Sequence, residues 1–411
     1  MVLNYLWAAF FLVAFVVSII RFLLGDTEIF KNLMDGVFDS ATAGVQISIG
    51  LIGIMSLFLG FMNIGERAGA INVLSRIVGP FFRHLFPDLP KNHPAMGHMM
   101  MNFSANLLGL DNAATPFGLK AMQSLQDTNP SKETASDSQI MFMVLHASGL
   151  TLIPVSIIAQ RVILKSNDPT SIFIPCLIAT FAATMVAMSV VAIWQKFTRR
   201  QWMAIAGLGL GGAVLLAGLG IYLRYFLSGE AASTFSKIVS NGLILLILIV
   251  FILGGLYKRV PIFDAFIDGA KQGFDIAVKI IPYLVGMLVA ISVLRNCGVF
   301  DYIIEALSWV FSSLGMNTDF VPALPTALMK PFSGSGARGM MIEAMSTYGP
   351  DSFVGRLSCV FQGSADTTFY IVALYFGSVG IKKTRYAVPA ALLADLAGII
   401  TAIFIAYNWP W

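Results

Sequence analysis

Charge is scarce in this sequence: Asp, Glu, Lys and Arg supply only 12% of 411 residues, about half the share of an ordinary soluble domain. A soluble fold of this size would lack the polar surface to stay in water. The net charge of +4 is small and dispersed, with no arginine-rich stripe interleaved with aromatics, so nucleic acid is not an expected partner. Three cysteines, Cys176, Cys297 and Cys359, show neither CxxC nor metal-type spacing and read as small buried hydrophobes. No metal site is predicted. HExxH, GxSxG and closely paired carboxylates are also missing, which leaves no enzyme reading and no expected cofactor.

What is abundant is apolar length. Hydrophobic residues make up 57% of the chain and the mean hydropathy is +0.79. Leu3 to Leu24, Gly44 to Met62, Ser171 to Trp194, Met203 to Phe226, Lys237 to Leu256, Lys279 to Val293 and Arg385 to Ala406 approach or meet the length that a helix needs to cross a bilayer, about 20 residues. The first run has no basic leader and no Ala-x-Ala site, so it is expected to be a retained span and not a signal peptide. Shorter stretches, Ala95 to Leu110 and Val321 to Phe332, are apolar but interrupted by Gly, Pro, Asn and Ser. Irregular backbone at membrane depth survives only where protein or a wet cavity satisfies it, so the interruptions mark candidate sites.

The chain resembles itself at long range. Ile29-Phe30 and Asp35-Gly36 recur as Ile262-Phe263 and Asp268-Gly269 at a constant offset; Gly53 and Asn63 match Gly286 and Asn296. After a short slip, Ala68-Gly69 faces Cys297-Gly298, Pro94-Ala95 faces Pro322-Ala323, and His146-Ala147-Ser148 stands where Gln362-Gly363-Ser364 stands later. Residues 1–200 are read as a first repeat, 201–235 as a linking transmembrane helix and 236–411 as a second repeat. Lys and Arg favour cytoplasmic loops. Arg67, Arg76, Arg83 and Lys91 place one loop inside, as do Lys196 to Arg200, Lys258 to Lys271 and Lys382 to Arg385, whereas the acidic linker Gly25 to Ala43 belongs outside. The N-terminus is then cytoplasmic and the C-terminus external, in the inner (cytoplasmic) membrane. The predicted fold is an all-α polytopic membrane protein with about nine transmembrane helices and two re-entrant hairpins, arranged as an inverted repeat.

Three polar clusters carry the chemistry. In the first, Asn102 and Asn106 share a helix face, Gly109 ends that half-helix, and Asp111 or Asn112 opens the next with Thr115 and Pro116 in its start. The bland alternative is that these residues only solvate a turn. The second, Ser333-Gly334-Ser335-Gly336, is a turn opening a helix and resembles an anion-cradling nest; glycine-serine turns are also commonly just flexible. The third is Gln362, Ser364, Asp366 and Thr367 within a span, with His146 and Ser148 at the matching earlier place. An ionisable group in a span must face a cavity or a partner, which makes Asp366 the strongest single candidate.

Phe86 to Met122 resembles spore maturation protein A, and Pro331 to Gly336, Tyr348 to Ser352, Gln362 to Tyr370, Tyr375 to Gly380 and Thr384 to Tyr386 resemble spore maturation protein B. The whole is similar to an A–B fusion among nucleoside-recognition, or Gate, membrane proteins. His146 departs from the family pattern, where an asparagine is expected, and Ala365 stands in place of a threonine. Gate domains also occur in ferrous-iron and concentrative nucleoside transport systems, so the resemblance implies a membrane role without fixing a substrate. Three readings stay open. One is a secondary transporter of a small polar, nucleoside-like solute, bound at the midplane between the hairpins and coupled to a proton or Na+ through Asp366 or His146. Another is a non-transporting envelope scaffold. The last is a divalent-metal pathway through His98, His146 and Met96 to Met101. The bilayer is the expected partner in each, and a homo-oligomer is compatible with all.

Overall fold

The computed structural model describes residues 2–90, 93–109, 111–225, 229–409 and 411; within them, the side chains at 2–4, 6, 111–113, 216–217, 219–225, 229–233 and 236–237 lie outside the description. Regular structure among the described residues is helical, apart from one isolated bridge between Thr134 and Lys383. The first part holds α1 (Val2–Leu23), α2 (Ile29–Arg67), α3 (Ala70–Leu85), α4 (Pro94–Leu107), α5 (Asp111–Thr128), α6 (Asp137–Ala147), α7 (Val155–Ile163), α8 (Phe173–Trp194) and α9 (Arg199–Tyr225). The second holds α10 (Gly229–Tyr257), α11 (Ile262–Asn296), α12 (Val299–Ser313), α13 (Leu324–Met329), α14 (Gly334–Tyr348), α15 (Phe353–Gly363), α16 (Thr368–Ser378) and α17 (Ala387–Asn408).

The order of elements repeats. Each part runs from one helix into a long helix, a shorter helix, a two-helix hairpin, two helices separated by a gap and a final apolar helix, with α9 left over. Five helical stretches among the described residues are long and apolar enough to cross a membrane: Ile29–Arg67, Phe173–Trp194, Ile238–Tyr257, Ile262–Asn296 and Ala387–Asn408. The chain is thus a multi-pass membrane protein. One expectation needs correction: the acidic linker from Gly25 to Ala43 is mostly helix, because α2 begins at Ile29 and continues for 39 residues. At about 1.5 Å per residue it reaches about 58 Å, nearly twice a hydrocarbon core. Its first turns bury only a narrow face, Ile29 and Leu33, and leave Asp35 and Asp39 exposed, so the stretch reads locally as a loop.

Two compact units divide the chain, and each takes segments from both parts. The first comprises Met1–Leu57, Ser156–Pro169 and Lys271–Gln362; the second, Phe58–Val155, Thr170–Ala270 and Gly363–Trp411. In the first unit, Ile29 and Leu33 of α2 and Ala14 of α1 share a core with Met287, Ile291 and Leu294 of α11 and with Met329, Ala337 and Met340. In the second, Phe82 and Phe86 join Met96, Met99 and Met122 of the α4–α5 hairpin, the Ile140 to Leu145 run of α6, and Tyr375 and Phe376 of α16. From Gln139 to Ala147 α6 is buried all round, so it shows no amphipathic stripe. A capping box starts it, with Ser136 accepting from the Gln139 backbone and Gln139 reaching back to the Ser136 N–H.

Candidate functional site

Two gaps in the helices meet inside the second unit. After Ala147 the chain leaves helix until α7 begins at Val155, and after Gly363 it leaves helix until α16 begins at Thr368. Breaking a helix frees N–H and C=O groups that a membrane interior cannot solvate. Here one gap satisfies the other, since the Asp366 N–H donates to the Ala147 carbonyl at 2.8 Å. Gly149 permits the approach with φ +59, and a Cβ there would lie 2.9 Å from the Asp366 nitrogen. The tip of the α4–α5 hairpin closes on the same region: the Leu152 N–H donates to the Leu107 carbonyl at 2.7 Å, and Gly109 turns at φ +72 beside the Ile153 carbonyl. Thus three interruptions converge.

A chain of polar side chains runs through this convergence. The Asn102 amide donates to the Ala114 carbonyl at 2.6 Å and to the Tyr375 hydroxyl at 3.2 Å. Its Oδ1 lies 3.0 Å from His146 Nδ1, and His146 Nε2 lies 3.6 Å from Asp366 Oδ2. Asp366 Oδ1 accepts the Thr367 N–H at 3.0 Å. The His146 side chain is 5% exposed and the Asp366 side chain 38%, so the carboxylate is the accessible end. Asn106, one turn along α4, is buried and makes no side-chain hydrogen bond among the described residues. Thr115 is half-buried in α5, and the Asn112 side chain lies outside the described residues.

The remaining sequence candidates have other surroundings. Ser148 is wholly buried, donating to the Leu145 carbonyl and bonded to Thr184 of α8 at 3.0 Å. Ser364 is buried where its carbonyl and Cβ pass close to Gly398 of α17, and Thr367 precedes α16 as a buried cap residue. Ser333, Ser335 and Gln362 belong to the first unit. Ser333 caps α14 by accepting the Gly336 N–H at 2.9 Å, its hydroxyl meets that of Ser335 at 3.2 Å, and Gln362 donates to the Gly334 carbonyl at 3.4 Å. Among the described residues no three His, Cys, Asp or Glu side chains group as metal ligands, and Met96 and Met99 pack in the core.

Sequence reasoning missed several partners. Tyr375 sits in an apolar run, yet its hydroxyl meets both Asn102 and His146; Gly118 of α5 leaves room for that hydroxyl, and a Cβ there would collide with it. Asp395, buried in α17, accepts the Thr368 hydroxyl at 2.6 Å. In the first unit, fully buried Arg161 donates to the Pro350 carbonyl at 2.5 Å and to Asp351 at 2.8 Å, while Asp351 also accepts Ser166 and the Asn167 N–H. Burial pushes the Asp351 carboxyl up, but these bonds and the Arg161 and Arg356 charges outweigh it and hold it below its ordinary 3.8.

Comparison with known proteins places this architecture. The Gate family, described as nucleoside recognition, matches residues 48–165 and 277–382. Spore maturation protein B of Bacillus subtilis (strain 168) is 47% identical over 167 residues, 41% of this chain and 92% of that protein. Spore maturation protein A of the same organism is 37% identical over 185 residues, 45% of this chain and 91% of that protein. With the family match covering more than half of its length and two such relatives spanned almost whole, the chain belongs to the nucleoside-recognition (Gate) family.

Proposed function

We propose that the protein is a secondary transporter of a small polar, nucleoside-like solute, and that the convergence of Asn102, Asn106, His146 and Asp366 is where the solute is held. The observation that carries this is the meeting of three main-chain interruptions around hydrogen-bonding side chains in otherwise apolar helices. Packing alone would be served by continuous helices; gaps in a membrane protein serve a polar cargo. Asn102, Asn106 and Asp366 supply both donors and acceptors, as a hydroxyl- and amide-bearing solute requires. In this reading about nine spans and two re-entrant hairpins form an inverted repeat in the cytoplasmic membrane, N-terminus inside.

A thermal-shift screen of purified protein against nucleosides, small carboxylates and divalent cations, followed by uptake of any hit into proteoliposomes, tests the proposal. Stabilisation and uptake of nucleosides, both lost in Asn102→Ala and Asp366→Asn, are expected. A second reading, a non-transporting envelope component, is favoured by the relatives' names, which refer to spore maturation. No stabilisation and no uptake, with full cellular function of an Asn102, Ser335 and Asp366 triple alanine variant, would select it.

A further inference from the structure

The hydrogen-bond directions around His146 assign its protons. Both Asn102 amide hydrogens are used, on the Ala114 carbonyl and on the Tyr375 hydroxyl, so Asn102 Oδ1 faces His146 as an acceptor. The Tyr375 hydroxyl also approaches Nδ1, at 3.2 Å, but Asn102 Oδ1 is nearer at 3.0 Å and can only accept, which assigns the hydrogen to Nδ1. A neutral imidazole has only one, which leaves the Nε2 lone pair turned toward the Asp366 carboxylate at 3.6 Å. Two acceptors at that separation repel. We propose that the His146–Asp366 pair carries one further proton, on Nε2 or on the carboxylate, and that taking it up and releasing it is the coupling step at the site proposed above.

The balance is simple. With the proton present the pair is neutral, either as imidazolium and carboxylate or as imidazole and carboxylic acid. When it leaves, through the accessible face of Asp366 to water, one uncompensated negative charge remains at membrane depth, which a low-dielectric interior disfavours. The proton also ties α6 to the gap before α16, so its loss loosens the contact between the two interruptions. An asparagine at 146 could donate to Asp366 but could not carry the proton.

Other titratable groups stand on every element packed against α6. These are His98 of α4, Lys120 and Asp127 of α5, Cys176 of α8, Tyr370 and Tyr375 of α16, and Asp395 and Tyr407 of α17; the Asp111 side chain lies outside the described residues. On α6 itself, Asp137 pairs with Arg385 at the opposite end of the helix. Of the described groups, Tyr375 and Asp366 are recorded in contact with the imidazole.

The test is nitrogen NMR of the full chain, labelled with 15N-histidine, in lipid nanodiscs from pH 6 to 9. His146→Asn identifies the His146 signals among four histidines. Expected are a protonated Nδ1 throughout and an Nε2 transition that lies at least about one pH unit higher than in Asp366→Asn, a tenfold tighter hold on the proton. A bare Nδ1, or the same transition in both proteins, overturns the proposal. If Asp366→Asn does not fold, Asn102→Leu serves: it should free Nδ1 and mix the tautomers, and an unchanged tautomer overturns the assignment. The titration involves no solute, so its failure with solute binding intact removes only this inference, and the converse removes only the transport reading.

Discussion

Gly149→Ala probes the contact between the two interruptions directly. Three effects enter. A residue with a Cβ in the left-handed region at φ +59 loses about 1–2 kcal/mol. The new methyl would lie 2.9 Å from the Asp366 nitrogen and 3.2 Å from the Ala365 carbonyl carbon, both backbone atoms with little freedom to yield. Such overpacking is worth roughly 1–3 kcal/mol. If the two segments part instead, the Asp366 to Ala147 hydrogen bond is lost, about 1 kcal/mol net. The expected destabilisation is roughly 2–5 kcal/mol, as the packing and hydrogen-bond terms are alternatives. Gly53→Ala is the matched control, since nothing lies within 4 Å of its added Cβ and it sits inside a helix. Thermal unfolding in nanodiscs should show a drop of several degrees for Gly149→Ala and no loss for Gly53→Ala. Equal Tm values for the two variants would refute the close crossing of the gaps.

Other outcomes follow from named contacts. Asp351→Asn should destabilise by about 2–4 kcal/mol, less than a fully buried pair because the carboxylate side chain is 20% exposed. The Asp351 carboxyl is held below 3.8, so its contribution is full above that pH and drains as pH falls further; urea unfolding should show the wild type losing more of its advantage over Asp351→Asn between pH 5 and 3. An equal gap at both pH values would contradict this. Gly118→Val should displace the Tyr375 hydroxyl and weaken solute binding, and Tyr375→Phe should weaken binding by removing the hydroxyl with a stability loss of only about 1 kcal/mol; unchanged binding in both variants would argue against Tyr375 as a support of Asn102. Thr368→Val should remove one donor from the buried Asp395 carboxylate and lower the Tm, which differential scanning fluorimetry would read.

Much of the architecture was readable because a bilayer punishes misplaced polar groups. Asn102, Asn106, His146 and Asp366 stood out against apolar surroundings, and three of them do join in one network. The gap between α6 and α7 was less visible, since Leu150, Leu152 and Ile153 keep the stretch apolar around Gly149 and Pro154. Tyr375 and Asp395 were hidden in the same way, inside runs whose composition suggests only lipid or core. Arg161 and Asp351 are separated by 190 positions, so no local pattern joins them. The acidic start of α2 misled because helix beyond the membrane obeys propensity and solvation, not apolar length. Ser148 shows a last limit: a polar residue near a gap can be spent on capping its own helix.

Solvent access at Asp366 bears most directly on the central claim that the converging interruptions line a hydrated site. In a chain with Cys176, Cys297 and Cys359 replaced by alanine, Asp366→Cys should react with a membrane-impermeant thiol reagent and be protected by bound solute. Leu215→Cys, exposed on the apolar α9, is the comparison and should stay unlabelled in lipid. Labelling of Asp366→Cys no faster than that of Leu215→Cys would contradict the account.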